Sequence, residues 1–205
     1  MFVPANAVPY TYQFGLPKFD SDWGTLSSVT LSMSAQGQGL VKVLNASPTA
    51  QAFTNAFSQT PITISGPVGS TLNLAPTATV ANGIVPGSYV DGLGNLVVGQ
   101  YEQNNIPFTP ASSIASISVP NADFSAYEGS GYQTANFTAT AGQGNYSGTA
   151  SSGVFFGGDV NAGGEVTITY DLITDSEYPA PEPGFGFLAA GLFGAAFAFK
   201  RFRRA

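Results

Sequence analysis

Val166-Thr167-Ile168-Thr169-Tyr170-Asp171-Leu172 sets an apolar side chain at every second position and a polar one between. Successive side chains of a strand point to opposite faces, so this stretch reads as a half-buried β-strand. The same period recurs upstream. Val29, Leu31 and Met33 alternate with Ser28, Thr30 and Ser32, and Ala135, Phe137, Ala139 and Ala141 alternate with Thr134, Asn136, Thr138 and Thr140. Further strands are expected at 8–14, 40–44, 60–65, 71–80, 95–101, 114–119 and 146–156, separated by glycine punctuation at 37–39, 91–94, 142–144, 157–158 and 163–164. Only Gln51 to Gln59, with Phe53 and Phe57 four apart, suggests a helical turn, and it fits a strand equally well. About ten short strands without intervening helices predict an all-β fold, an antiparallel β-sandwich of jelly-roll-like type.

Composition narrows the function classes. Before the tail, the chain has a body near 170 residues (residues 8–177), enough for one domain with a real core. There is no Cys, so packing and strand pairing must hold the fold without disulfides. Charged residues make up only 9% of the chain, and residues 1 to 183 carry twelve acids against Lys18 and Lys42, a formal charge of −10. A surface of that sign repels phosphate backbones and excludes nucleic-acid binding.

The cations are elsewhere. Of six Lys and Arg residues, Lys200, Arg201, Arg203 and Arg204 lie in the last six positions. They follow Gly184 to Phe199, sixteen residues without a polar side chain. As a helix this run spans roughly 24 Å, short of the roughly 30 Å hydrocarbon core, and snorkelling of Lys200 and Arg201 recovers part of the mismatch. The run is apolar all round, which favours a transmembrane helix over a buried core helix, and the positive-inside rule keeps the basic terminus (200–205) cytoplasmic. Pro181 and Pro183 stop the helix from propagating back into the linker, residues 178–183.

Pro181-Glu182-Pro183, the short apolar run and the terminal Arg cluster resemble the PEP-CTERM sorting signal of Gram-negative bacteria. The resemblance covers about 25 residues and has all three parts in order. It implies recognition and processing near the Pro-Glu-Pro motif by an exosortase, a membrane-embedded cysteine transpeptidase. An inner-membrane intermediate would then precede a mature form at the cell surface or outside the cell. The body is similar to the choice-of-anchor E domain in two places: Lys18-Phe19-Asp20 leading to Gly24-Thr25-Leu26 and Val29-Thr30-Leu31, and the closing Val166 to Tyr170 strand. That likeness implies a surface location and no particular chemistry. At the other end, Ala5-Asn6-Ala7 fits a signal-peptidase site, which makes residues 1–7 the expected remnant of a signal peptide.

Absences bound the chemistry. With no His or Cys, a Ser-His-Asp triad, imidazole- or thiolate-ligated metals and thiol nucleophiles are all excluded. The body also lacks Arg, so it has no bidentate clamp for phosphate or carboxylate ligands. Carboxylates remain: Asp20, Asp22, Asp91, Glu102, Asp123, Glu128, Asp159, Glu165, Asp171, Asp175 and Glu177. Two of them facing across a cleft would make a glycoside hydrolase; charged residues at strand ends more commonly serve as solvated caps. Asp20-Ser-Asp22-Trp-Gly24 looks like half of a calcium loop that lacks its third ligand and its closing Glu. Trp23, Tyr101 and Tyr132, with Tyr89, Tyr127 and Tyr146, are candidates for sugar stacking, although aromatics more often pack in cores. Three Asn-x-Ser/Thr matches, at Asn45, Asn136 and Asn145, read as chance. The expected function is an exported, non-enzymatic structural or adhesive protein without a cofactor, with exopolysaccharide as a possible partner. The alternatives are a carbohydrate-binding module and a carboxylate-dependent glycoside hydrolase.

Overall fold

The computed structural model describes residues 1–173. The sorting motif Pro181, Glu182 and Pro183, the expected transmembrane run from Gly184 to Phe199, the basic residues Lys200, Arg201, Arg203 and Arg204, and the acids Asp175 and Glu177 lie outside the described residues. Among the described residues no helix is long and apolar enough to cross a membrane.

The described chain is all-β, its sheets antiparallel apart from one two-residue parallel pairing. In chain order the strands are β1 (Phe2–Ala7), β2 (Tyr10–Pro17), β3 (Phe19–Asp20), β4 (Thr25–Asn45), β5 (Gln51–Gln59) and β6 (Ile62–Ser65). Then come β7 (Thr71–Leu74), β8 (Thr77–Val85), the hairpin pair β9 (Tyr89–Val90) and β10 (Leu96–Val97), and β11 (Gly99–Pro107). Next are β12 (Ile114–Ser118), β13 (Glu128–Gly129), β14 (Thr134–Ala141), β15 (Asn145–Ala150) and β16 (Val154–Ile173). One layer has the order β1-β16-β4, with β11 and β12 sharing the far edge of β4. The facing layer consists of β2-β14-β6-β7 and, in line with it, β15-β5-β8.

The second layer is one sheet creased across three strands. β5 runs into β6 across Pro61, β7 into β8 across Pro76, and β14 into β15 across Gly142. Proline has no N–H to give a ladder, so these positions interrupt the pairing where they align. The crease is closed by Thr60 N–H donating to Pro76 O, Gly142 N–H to Pro61 O, and the buried Thr60 hydroxyl to Gly142 O. Counted as eight continuous segments, the two layers have the orders 1-8-3-6 and 2-7-4-5.

Alternation drives the packing. Every odd residue of β4 from Val29 to Asn45 is buried except Gly37, which is partly covered, and the even residues face solvent. Between the layers, the Phe53 ring of β5 meets Tyr101 of β11 at 4.9 Å and Phe156 of β16 at 6.5 Å. Tyr10 donates to Ala162 O and Tyr170 to Pro17 O, both at 2.9 Å. Each fully buried Phe, Ile or Leu in this core contributes roughly 1.5–3 kcal/mol.

The structure corrects several boundaries. Gly37 to Gly39 does not end a strand: the segments expected at 29–33 and 40–44 are one 21-residue strand. The glycines are there for close approach. A Cβ on Gly39 would overlap Ser58 Oγ and Ala78 Cβ of the facing layer. Gly157-Gly158 and Gly163-Gly164 likewise lie inside β16, whereas Gly142 to Gly144 and Asp91 to Gly94 do mark turns. Gln51 to Gln59 is a strand, and the segment expected at 146–156 breaks at residues 151–153. Residues 2–7, read as a signal-peptide remnant, form an edge strand on β16 with Val3 fully buried, and Met1 pairs with Val166. Removal of residues 1–7 would strip that strand from the sheet.

Candidate functional site

Across the middle of the long sheet runs a recess of about 300 Å³, formed where β1, β16, β4 and β11 pass side by side. Gln38 and Leu40 line it from β4, Asp159 and Asn161 from β16, and Asn104 and Asn105 from β11. Register brings these residues together: Leu40 pairs with Asp159 and Gln38 with Asn161, on the side of the sheet that alternation turns to solvent. Ala7 and Val8 close one end, with Ala7 opposite Asn161. The Tyr146 ring of β15 lies at the β16 edge against Gly158.

Two irregularities shape this recess. The ladder between β11 and β4 shifts register between Gln103 and Ile106, where Asn105 adopts a left-handed φ of 56°. Asparagine tolerates that conformation better than other residues with a Cβ, and such bulges re-aim side chains. A second register shift falls in β1, between Val3 and Asn6.

The electrostatics are simple. Asp159 is the one charged group in the lining. Burial pushes the Tyr146 phenol above its ordinary pKa, and the Asp159 carboxylate adds to that, so the two groups sense each other. Among the described residues, the side chains of Gln38, Asp159 and Asn161 and the Tyr146 hydroxyl make no intramolecular hydrogen bond; Asn104 donates to Glu102 at 3.3 Å. The lining therefore offers amides that both donate and accept, one acceptor-only carboxylate and an aromatic wall. It contains no second carboxyl for a hydrolytic pair and no nucleophile with an adjacent base.

The stacking candidates do not converge. Trp23 is 70% exposed and edge-on to Phe19, and Tyr132 is fully exposed in the loop that follows β13; the two loops are neighbours through the β3–β13 pairing. Tyr101 faces the opposite layer, packed on Phe53, and its hydroxyl reaches Gln103. Tyr127 is fully buried with its hydroxyl on Ser70, and Tyr89 is exposed on the β9–β10 hairpin. Of the six aromatics, only Tyr146 lines the recess. Asp20 caps the short turn Ser21–Trp23 by accepting from Asp22 N–H at 3.1 Å. Among the described residues no three His, Cys, Asp or Glu side chains gather to hold a metal. Asn45 is fully buried, donating to Thr49 O and Pro86 O and accepting from Ser47 N–H, which makes it a structural clasp.

Sequence reasoning named Asp159 and Tyr146 but did not join them, and missed Gln38, Asn104, Asn105 and Asn161. Their one common trait, polar positions beside glycine or within an irregular strand, is too weak to single them out. No protein-family model matches the chain, and searches of curated proteins and of solved structures return no match.

Proposed function

We propose that the chain is an exported protein of a Gram-negative cell surface or extracellular matrix, sorted by its C-terminal tail and built on a non-catalytic body. One observation carries the reading: Pro181-Glu182-Pro183, a sixteen-residue apolar run, then Lys200, Arg201, Arg203 and Arg204, in that order. Apolar length and flanking charge are what a membrane reads, and three of these cations are Arg, which keeps its charge at any physiological pH. In this reading residues 184–199 cross the inner membrane as a helix, the basic terminus stays cytoplasmic, and an exosortase acts near Glu182. The body is a scaffold of jelly-roll type, a description supported by its 1-8-3-6 and 2-7-4-5 strand orders. Its adhesive or structural role rests on the low charge density and on the absence of His, Cys and Arg from the body.

Topology reporters test the claim. Alkaline phosphatase, active only outside the cytoplasm, is expected to be active when fused after Glu177 and inactive when fused after Ala205, both expressed from the native locus. Equal activity at the two sites would contradict the membrane-crossing tail.

A further inference from the structure

We propose that the recess between β1, β16, β4 and β11 is a binding subsite for a neutral pyranose unit of a polysaccharide. The inference goes beyond the sorting proposal and does not depend on it, because it uses only residues of the body.

The lining selects the ligand class by elimination. An anion would meet Asp159 with no cation in the lining, on a body (residues 8–177) carrying a formal −9. Transfer there would be opposed by repulsion from Asp159, with no guanidinium or ammonium group in the lining and Lys42 one same-face position farther along β4. A hard divalent cation needs six to eight oxygens in Ca²⁺ sites, and a single carboxylate is a poor start. A wholly apolar ligand would strip water from the amides and return no hydrogen bonds.

A pyranose fits both halves of the lining. Its hydroxyls each donate and accept, which is what Gln38, Asn104 and Asn161 also do. Asp159 accepts only, and as a charged acceptor it binds a hydroxyl pair more strongly than an amide does. The C–H face of a sugar ring is apolar, and the Tyr146 ring with Leu40 supplies a surface to lie against. The volume, about 300 Å³, stands at the lower edge of the roughly 300–1,000 Å³ typical of ligand pockets, which suits one ring of a chain. Gln38, Asp159, Asn161 and the Tyr146 hydroxyl can bind without giving up an internal hydrogen bond among the described residues, and Asn104 alone already has a partner, Glu102. The bulge at Asn105 is the kind of strained feature that clusters at functional sites.

The test is calorimetric titration of the full-length chain in a zwitterionic detergent without sugar headgroups. The probes are neutral hexasaccharides of glucose, mannose and galactose, with polygalacturonate as the anionic comparison. Saturable binding of at least one neutral hexasaccharide is expected, weakened about ten-fold or more in Asp159→Ala and in Asn161→Ala. Asp171→Asn, near the end of β16, is expected to bind as the wild type does. Trp23 emission should not respond, because Trp23 precedes β4 and lies far along the sheet from the recess. If either alanine variant fails to fold by circular dichroism, Gln38→Ala, an exposed position, takes its place. The proposal is overturned if no neutral hexasaccharide binds, if polygalacturonate binds best, if the recess variants retain wild-type affinity, or if binding quenches Trp23. A chain that is correctly sorted yet binds no glycan refutes this inference alone.

Discussion

Ser58 occupies a fully buried position in β5, and its hydroxyl has no hydrogen-bond partner among the described residues. It lies against Gly39 of the long sheet, where there is no space for a Cβ beside Ser58 Oγ and Ala78. A buried, unpartnered hydroxyl costs about 1–3 kcal/mol of desolvation that its removal restores. Ser58→Ala is therefore expected to raise stability by about 1 kcal/mol in chemical denaturation, and Gly39→Ala to lower it by about 1–3 kcal/mol through overpacking. A destabilised Ser58→Ala would show that the hydroxyl has a partner after all. This pair also explains why glycine misled the reading of β4. In a sequence, a glycine that ends a strand and a glycine that admits the neighbouring layer look the same.

At the scale of the element, β16 is bound to β2 in the other layer by the Tyr170 hydroxyl, which donates to Pro17 O at 2.9 Å. Burial, with a smaller contribution from the Tyr127 hydroxyl, pushes Tyr170 up to about 12 from its ordinary 10.0. The sign follows directly: the folded state holds this proton more tightly than the unfolded chain does. The contribution is complete below pH about 10 and is lost as pH rises from about 10 towards 12. Melting temperature should be level from pH 8 to 9.5 and decline above 10. Tyr170→Phe should start lower and decline less steeply. Equal slopes for the two proteins would remove Tyr170 from the account. The strand itself was legible: Val166 to Leu172 alternates, and the burial pattern follows the alternation as far as Tyr170, after which a register shift leaves Leu172 exposed. The crease was not, because Pro61, Pro76 and Gly142 become one feature only when three strands lie side by side. The recess was illegible for the same reason, since its residues come from four strands whose register no local pattern declares.

The described β body is long. At about 3.3 Å per residue the 21 residues of β4 have a contour length of roughly 70 Å, so the long sheet has two distant ends. At one end lie Trp23 and the close of β16 at Ile173, from which the chain continues towards the Pro-Glu-Pro motif. At the other, beside Asn45, stands the β9–β10 hairpin with Tyr89, Val90, Leu93 and Leu96 exposed. The recess lies between the ends. The proposed sorting tail follows Ile173 in sequence, and the recess and the hairpin lie away from that end of β16. The direct measurement is the intact mass of the protein recovered from the envelope and medium of its native host. The account predicts a species ending near Pro183 and lacking the apolar run with its four cations; a population that retains Ala205 throughout would contradict it.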